Sequence, residues 1–80
     1  MHEPEIRDIL SQHGRLRTDA AKISDDDDLY LLGLTSHASV NVMLALEESL
    51  DIEFPDHLLQ KSTFQSIASI AAAVAEAAQP

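Results

Sequence analysis

The sequence contains no cysteine among its 80 residues, which excludes disulfide bonds and thiolate metal sites. Thiol chemistry would therefore require a bound group that brings its own sulfur. Aromatic residues are also scarce, with one tyrosine, two phenylalanines and no tryptophan. The core must be built from Leu, Ile, Val and Ala instead, and the low content of glycine and proline favours a helical bundle.

Basic residues are few as well: 5 Lys and Arg stand against 14 Asp and Glu, for a formal net charge of -9. A field of this sign repels phosphate backbones and anionic lipid headgroups, so we predict no nucleic-acid partner and no membrane partner. A protein with a basic patch would be attracted. The N-terminal segment has neither a basic region nor an apolar run, so we expect a cytoplasmic protein without a secretory signal.

The first half of the chain combines one helical pattern with a long polar segment. Pro4 suits the first turn of a helix and Gly14 suits its end, and His13 completes the apolar face between them. Residues 15–35 show no sustained period, and we predict a long loop that scattered apolar side chains attach to the core. These predicted anchors are Leu16, Ile23, Leu29, Leu32 and Leu34.

Three more helices are predicted in the second half. Ser36 fits the N-cap of a second helix that ends near Leu50. Asp56 can cap a short third helix, and Thr63 can cap a fourth. The sequence therefore predicts an all-α fold, a small four-helix bundle with a long loop between helices 1 and 2 and a short third helix. A single domain would span residues 1–80.

The second helix carries apolar residues on two faces. One stripe is spaced for burial in the core and comprises Val42, Met43, Leu46 and Leu50. Val40 and Leu44 lie four residues apart beside polar residues, and we expect them to be partly exposed. An exposed apolar stripe of this kind indicates a contact surface for another protein.

Ser36 is the residue best placed for covalent chemistry. Its predicted position at a loop-to-helix junction exposes a hydroxyl at the positive end of a helix, where phosphate is electrostatically favoured. A plain capping role is the alternative, and residue physics alone favours it. A hydrolase is not indicated, because the Gly-x-Ser-x-Gly pattern is absent and the adjacent His37 would point in another direction. We predict no catalytic residue and no enzyme.

Neither the acidic run nor the histidines indicate a metal site. The run from Asp25 to Asp28 lacks the alternating ligands, the central glycine and the final glutamate of a calcium loop. The 4 histidines, at positions 2, 13, 37 and 57, include no pair at i, i+4 on one helix, as a zinc-binding helix would need. We predict a solvated acidic loop and no bound metal.

Three segments give the chain a family resemblance. The stretch Gly33–His37 (Gly-Leu-Thr-Ser-His) resembles the Gly-x-Asp-Ser-Leu signature of acyl and peptidyl carrier proteins. Residues 45–56 are similar to the end of that family's second helix and the Ile-Pro-Asp turn after it, with no insertion between the two segments. Lys61–Phe64 resembles the entry to the family's last helix. The resemblance extends over nearly the whole chain and is tightest from residue 29 to 70.

This resemblance implies an acyl-carrier-like fold and a carrier function. In that family a phosphopantetheinyl transferase attaches 4′-phosphopantetheine from coenzyme A to the serine of the signature, which is Ser36 here. The thiol of the arm then holds the cargo as a thioester, which would supply the sulfur that the sequence lacks. The carrier provides attachment, mobility and recognition, and its partners perform the chemistry.

The signature departs from the family's usual form in a way that resembles one subgroup. Thr35 replaces an aspartate, His37 replaces a leucine, and Ala38 and Asn41 stand where acidic residues are common. The start of the second helix therefore lacks the negative charge that fatty-acid enzymes would read. This form looks like the stand-alone amino acid carriers. Those carriers are loaded by ATP-dependent amino acid:carrier protein ligases, which resemble the catalytic core of class II seryl-tRNA synthetases.

We predict that such a ligase binds the face of the second helix next to the modified serine. The predicted partner-binding residues are Thr35, His37, Val40, Asn41, Leu44, Glu47 and Glu48. Two alternatives remain open at this point. One is a fatty-acyl or polyketide acyl carrier, and the other, from a different class, is an unmodified helical interaction module with Val40 and Leu44 as its docking stripe.

Overall fold

The framework of the fold is helical, and its helices are joined by segments that contain only short helical turns. The computed structural model describes residues 2–79. The three α-helices are α1 (Glu3–Ile9), α2 (Ser36–Leu50) and α3 (Ile67–Ala77). A π-helical turn extends α1, and three 3₁₀ turns lie in the connections: Leu10–Gly14, then Ala20–Lys22, Asp56–Leu58 and Lys61–Phe64. The all-α prediction is confirmed, since the described residues include no strand.

Among residues 2–79, no helix has both the length and the apolar character needed to cross a membrane.

Helix α1 follows the sequence prediction closely at both ends. Pro4 lies in its first turn, and the π turn that extends it ends at Gly14. Arg15 then adopts a left-handed conformation with φ 54°, which stops the helix. The prediction for His13 is wrong, because its side chain is exposed. In the wider π turn, the buried residues are Leu10 and Gly14, and His13 lies outside the apolar face.

The loop of residues 15–35 is held to the helices by its apolar side chains, as predicted. All of its anchors are buried or half-buried against the core: Ile23, Leu29, Leu34, Leu16 and Leu32. Backbone hydrogen bonds join the two ends of the loop and link it to the segment just before α3. The N–H of Arg17 donates to the Leu32 carbonyl at 2.9 Å, and the N–H of Leu29 donates to the Gln65 carbonyl at 2.7 Å.

Arg7, which no sequence pattern singles out, ties α1 to the same loop. Its guanidinium donates to the carbonyl oxygens of Ala20 and Ile23 at 2.7 Å each, and it pairs with the Asp25 carboxylate at 2.7 Å. The carbonyl of Asp25 in turn accepts the N–H of Ala68 at 2.9 Å. The loop is therefore fastened to α1 and α3 at one point.

The hydrophobic core lies between the three helices and the loop. Its largest fully buried side chains are Ile6, Leu10, Leu29, Val42, Leu46, Ile67, Ile70 and Val74. Phe54 and Phe64 pack edge-to-face at one end of it, with ring centroids 6.0 Å apart and planes at 72°. Val42 and Leu46 lie on the face of α2 that packs into this core. The residues on the opposite face of α2 are therefore at the surface.

The connection between α2 and α3 forms two 3₁₀ turns where a short third helix was predicted. Leu59, which lies between the turns, has φ -87° and ψ 67°, and this backbone stops the helical path after one turn. The predictions that Asp56 and Thr63 cap helices are wrong, because neither side chain makes a capping hydrogen bond. Thr63 is buried, and α3 begins later, at a capping box formed by Ser66 and Ser69.

Candidate functional site

The start of α2 is capped by Thr35, and Ser36 is the first residue of the helix. The Oγ1 atom of Thr35 accepts the N–H of Ala38 at 3.0 Å, and the Thr35 backbone is extended, with φ -103° and ψ 164°. The prediction that Ser36 caps this helix is therefore wrong by one position. Because its neighbour does the capping, the Ser36 side chain is exposed and available for other chemistry.

The turn before Ser36 is held in place by its backbone. The carbonyl of Leu29 accepts the N–H of Leu32 at 3.1 Å and that of Leu34 at 3.0 Å. Gly33 has φ 113°, a conformation that side chains disfavour, and a Cβ there would lie 3.4 Å from the Arg17 side chain. Leu34 is buried, so the chain is fixed two residues before the serine. Ser36 thus projects from a rigid junction.

A hollow of about 240 Å³ opens beside the serine, between α2 and the turns that precede α3. Its lining residues are Tyr30, Ser36, Ser39, Val40, Met43, Leu59, Gln60, Lys61 and Phe64. The Ser39 hydroxyl donates to the Ser36 carbonyl at 2.7 Å, which keeps that hydroxyl on the helix. Of the α2 residues in this hollow, the sequence had indicated Ser36 and Val40 as site residues and had assigned Met43 to the core stripe. Ser39 and the residues that come from the loop and from the turns were not predicted as part of a site.

Tyr30 and Lys61 form one wall of the hollow. The Tyr30 hydroxyl donates to the Lys61 carbonyl at 3.1 Å, and the Lys61 ammonium lies 4.8 Å from the centroid of the Tyr30 ring. Burial raises the pKa of the Tyr30 phenol above its ordinary value of 10.0; the Ser39 hydroxyl acts against this shift, and the charge of Asp28 adds to it. The phenol therefore stays protonated at neutral pH and remains a donor.

The charges around Ser36 suit an anionic group. The first turn of α2 carries no acidic side chain, and its free backbone N–H groups form the positive end of the helix dipole. Lys61 lines the same hollow as the serine, and its ammonium lies over the ring of Tyr30, another lining residue. In a chain of net charge -9, this is a local environment in which a phosphate ester on Ser36 would meet little repulsion.

Most of the predicted partner residues share one side of α2. Val40 and Leu44 are 50% and 52% exposed, as expected for a contact stripe. His37, Asn41 and Glu48 are exposed at neighbouring positions of the same side. Thr35 precedes them and is occupied by its capping hydrogen bond. Two further exposed apolar side chains, which the sequence analysis missed, are Leu31 (77%) and Leu59 (47%).

Glu47 differs from the other predicted partner residues. Its side chain is half-buried, and its Oε2 atom accepts the N–H of Phe54 at 2.9 Å. Its carbonyl also accepts the N–H of Ile52 at 3.1 Å. Glu47 therefore joins the end of α2 to the segment that follows, and its carboxylate is used within the domain.

The side chains of the acidic run make contacts within the loop and with α1. Asp25 pairs with Arg7, an Asp27 oxygen accepts the N–H of Ser24 at 2.9 Å, and an Asp28 oxygen accepts the N–H of Tyr30 at 2.9 Å. In the described range, no three His, Asp or Glu side chains are grouped so as to hold a metal ion.

The fold and the site together describe a small helical domain that presents an exposed serine hydroxyl at the start of its longest helix. The model of the phosphopantetheine attachment site family matches residues 5–74. The chain belongs to this family, so the family resemblance predicted from the sequence is confirmed. The cofactor of the family is 4′-phosphopantetheine.

Relatives with known names or structures lie within the same family. The aminoacyl carrier protein of Agrobacterium fabrum is 52% identical over 65 residues, which cover 81% of this chain and 78% of that protein. One similar structure is the crystal structure of an engineered Bradyrhizobium japonicum glycine:carrier protein ligase complexed with a carrier protein from Agrobacterium tumefaciens and AMP. The matching chain has a TM-score of 0.88 and 48% identity, and the match covers 91% of this chain and 97% of that one.

A more distant match comes from the crystal structure of the Bradyrhizobium japonicum glycine:carrier protein ligase complexed with glycylated carrier protein. It has a TM-score of 0.75 and 25% identity, and it covers 90% of this chain and 96% of that chain. The acyl-carrier-like fold predicted from the sequence is thus confirmed at two levels of sequence identity.

Proposed function

We propose that this chain is an aminoacyl carrier protein. In this proposal Ser36 bears a 4′-phosphopantetheine arm derived from coenzyme A, and the arm holds an amino acid for partner enzymes. The observation that carries the proposal is the exposed position of Ser36 at the start of α2, where Thr35 performs the capping. This position falls within a domain of the phosphopantetheine attachment site family.

The residues around Ser36 fit the cofactor. The exposed hydroxyl is open to a transferase, and the junction that precedes it is fixed by the buried Leu34. The helix end and Lys61 offset the negative charge of a phosphodiester, while no acidic residue of the first helical turn opposes it. The arm supplies a terminal thiol that holds the aminoacyl group as a thioester. The arm would therefore provide the reactive thiol, because the chain itself contains no cysteine.

The relatives favour an amino acid over a fatty acid as the cargo. A protein that is 52% identical is named an aminoacyl carrier protein, and two similar structures contain a glycine:carrier protein ligase. The start of α2 agrees with this choice, since Thr35, His37 and Ala38 bring no negative charge. We therefore propose an ATP-dependent amino acid:carrier protein ligase as the loading partner and a phosphopantetheinyl transferase as the modifying one.

The role of the carrier is to attach, present and be recognised, and the partners perform the chemistry. Residues 1–80 act as one carrier domain in this proposal, in the cytoplasm, where coenzyme A and the ligase would be available. The exposed side of α2, with His37, Val40, Asn41 and Leu44, lies next to Ser36 and would contact the ligase. Its apolar character suits a small and transient interface.

Arm attachment can be tested by mass spectrometry after incubation with coenzyme A and a broad-specificity phosphopantetheinyl transferase. The wild type and Ser49→Ala should each gain the mass of one phosphopantetheine group, whereas Ser36→Ala should gain none. Ser49 is the matched control, because it is an exposed serine on the same helix. Mass gain by Ser36→Ala would refute the assignment, and no gain by any variant would favour the unmodified interaction module.

The cargo can be tested on the modified protein in a second step. A glycine:carrier protein ligase with ATP and glycine should load the arm-bearing wild type, and mass spectrometry should show the added glycyl group. A fatty-acyl carrier synthetase with a long-chain fatty acid serves as the comparison. Preferential loading by the second enzyme would overturn the aminoacyl assignment while leaving arm attachment intact.

A further inference from the structure

Lys61 is the basic side chain that lines the hollow beside Ser36. The chain has 5 basic residues in all, and the others do not line this hollow: Arg7, Arg15, Arg17 and Lys22. Arg7 is bound to Asp25 and to two backbone carbonyls on the far side of the loop. Among residues 2–79, Lys61 is therefore the one Lys or Arg residue that lines the same hollow as Ser36.

Tyr30 positions Lys61 through two contacts. The phenol hydroxyl of Tyr30 donates a hydrogen bond to the Lys61 carbonyl at 3.1 Å. The Lys61 Nζ atom lies 4.8 Å from the centroid of the Tyr30 ring. Within residues 2–79, the ammonium makes no ion pair with a carboxylate. The lysine is thus held beside an aromatic ring at the wall of the hollow, and in the described range no acidic side chain pairs with its charge.

We propose that Lys61 is the counter-charge of the phosphodiester that joins the arm to Ser36. This inference rests on the proposed function, because it requires the arm to be attached there. An ammonium on a flexible four-carbon stem offers three donors that can follow an anion in a shared hollow. The covalent bond to Ser36 keeps the phosphate at high effective concentration, so a contact that is weak between free molecules forms readily.

The contact gives Lys61 a positioning role. It draws the base of the arm toward the wall formed by Tyr30 and the turn Lys61–Phe64. The side of α2 that carries His37, Asn41 and Leu44 is then left open for a partner. The arm leaves the domain in a preferred direction, although its far end remains mobile.

The experiment compares apo and arm-bearing forms of four proteins: the wild type, Lys61→Gln, Lys61→Arg and Lys22→Gln. Mass spectrometry first verifies that each has gained the arm, and thermal unfolding by circular dichroism then gives the holo-minus-apo difference in Tm. This difference cancels any effect of the substitution on the apo fold, including loss of the contact with Tyr30. Lys22 is the control, since it is an exposed lysine in the turn Ala20–Lys22.

Lys61→Gln should lower the holo-minus-apo difference by about 2–6 °C relative to the wild type. Lys61→Arg should restore most of it, and Lys22→Gln should leave it unchanged. At about 1 M salt, where the Debye length is about 3 Å, the wild type should converge on Lys61→Gln. The ³¹P resonance of the arm should shift in Lys61→Gln and stay in place in Lys22→Gln.

Equal holo-minus-apo differences and equal ³¹P shifts in the wild type and Lys61→Gln would overturn the role of Lys61 and leave the carrier function standing. Failure of the wild type to gain the arm would overturn both. A loss in Lys22→Gln as large as that in Lys61→Gln would also overturn the inference, because it would indicate a general effect of net charge.

Discussion

Thr35 and Ala38 are joined by a 3.0 Å hydrogen bond from the Ala38 N–H to the Thr35 Oγ1 atom, and this bond starts α2. It separates two roles that a single hydroxyl at this junction would otherwise combine. Thr35 satisfies a free N–H of the helix end, and Ser36 is left exposed. The modification proposed for Ser36 would therefore leave the cap of α2 in place.

Thr35→Ala should destabilise the protein by about 1 kcal/mol, within a range of about 0.5–2 kcal/mol, because the helix loses its cap. Ser36→Ala should stay within about 0.5 kcal/mol of the wild type, since an exposed side chain with no capping bond is removed. Urea unfolding followed by circular dichroism measures both values, and Thr35→Ser serves as the conservative control. If Ser36→Ala cost as much as Thr35→Ala, the assignment of the cap would be wrong.

Leu44→Asp should weaken loading by the amino acid ligase, because a charge would enter the desolvated contact that we propose for this side of α2. A loss of about 1–3 kcal/mol in binding corresponds to about 5–150-fold in kcat/KM. Leu44 is half-exposed, so the fold should tolerate the change.

The measurement is glycine loading of the arm-bearing protein over a range of carrier concentrations. Ala72→Asp is the matched control, because it adds the same charge at an exposed position of α3. Wild-type kinetics in Leu44→Asp would place the docking surface elsewhere, with Leu31 and Leu59 as the next exposed apolar candidates.

Arg7→Gln should destabilise the protein by about 1.5–3 kcal/mol, because a charged donor is removed from the carbonyls of Ala20 and Ile23. Asp25→Asn should cost less than about 1 kcal/mol, since the Asp25 side chain is 60% exposed and water can replace part of its interaction. Denaturant unfolding of both variants gives the comparison. Equal losses would mean that the ion pair, and not the backbone contacts, dominates the role of Arg7.

Alkaline pH should destabilise the fold through Tyr30. Burial raises the pKa of this phenol above 10.0 in the folded state, so the protonated form is favoured by folding. The resulting stability is fully present below the unfolded pKa near 10 and is lost as the pH rises through the higher folded value. Because the chain has one tyrosine, the phenolate absorbance reports this single titration.

Tyr30→Phe is the control for that titration. It should remove the phenolate signal, and its stability should fall less than that of the wild type between pH 9 and 11. At neutral pH it should cost about 1 kcal/mol, because the hydrogen bond to the Lys61 carbonyl is lost. A folded-state titration at or below the ordinary value would contradict the burial of this side chain.

The amino-acid sequence alone indicated the helical class, the long anchored loop and the exposed stripe of Val40 and Leu44. These features can be inferred from the spacing of apolar residues along a short stretch of chain. Residues three or four apart lie on the same face of a helix, so their spacing predicts which face is apolar. The signature around Ser36 could also be recognised from the sequence, because the family pattern is a contiguous stretch of residues. Nothing in these signals depends on how distant segments pack.

Boundaries were less well determined by the sequence. Thr35 and Ser36 both have a capping hydroxyl, as do Thr63 and Ser66, and the choice between them depends on backbone conformation. Tertiary packing decides between them. Thr63 is buried, and Ser66 is the residue that caps α3. The predicted short third helix is only a 3₁₀ turn, Asp56–Leu58, because the backbone at Leu59 leaves the helical region.

The hollow beside Ser36 was decided by the tertiary structure. Tyr30 and Lys61 stand 31 residues apart, and Arg7 reaches carbonyls 13 and 16 residues away. Local periodicity carries no information about such distances, because they depend on how the loop closes over the core. The sequence therefore determined which serine is presented on a helix, and only the packed fold determined which cation and which ring stand beside it.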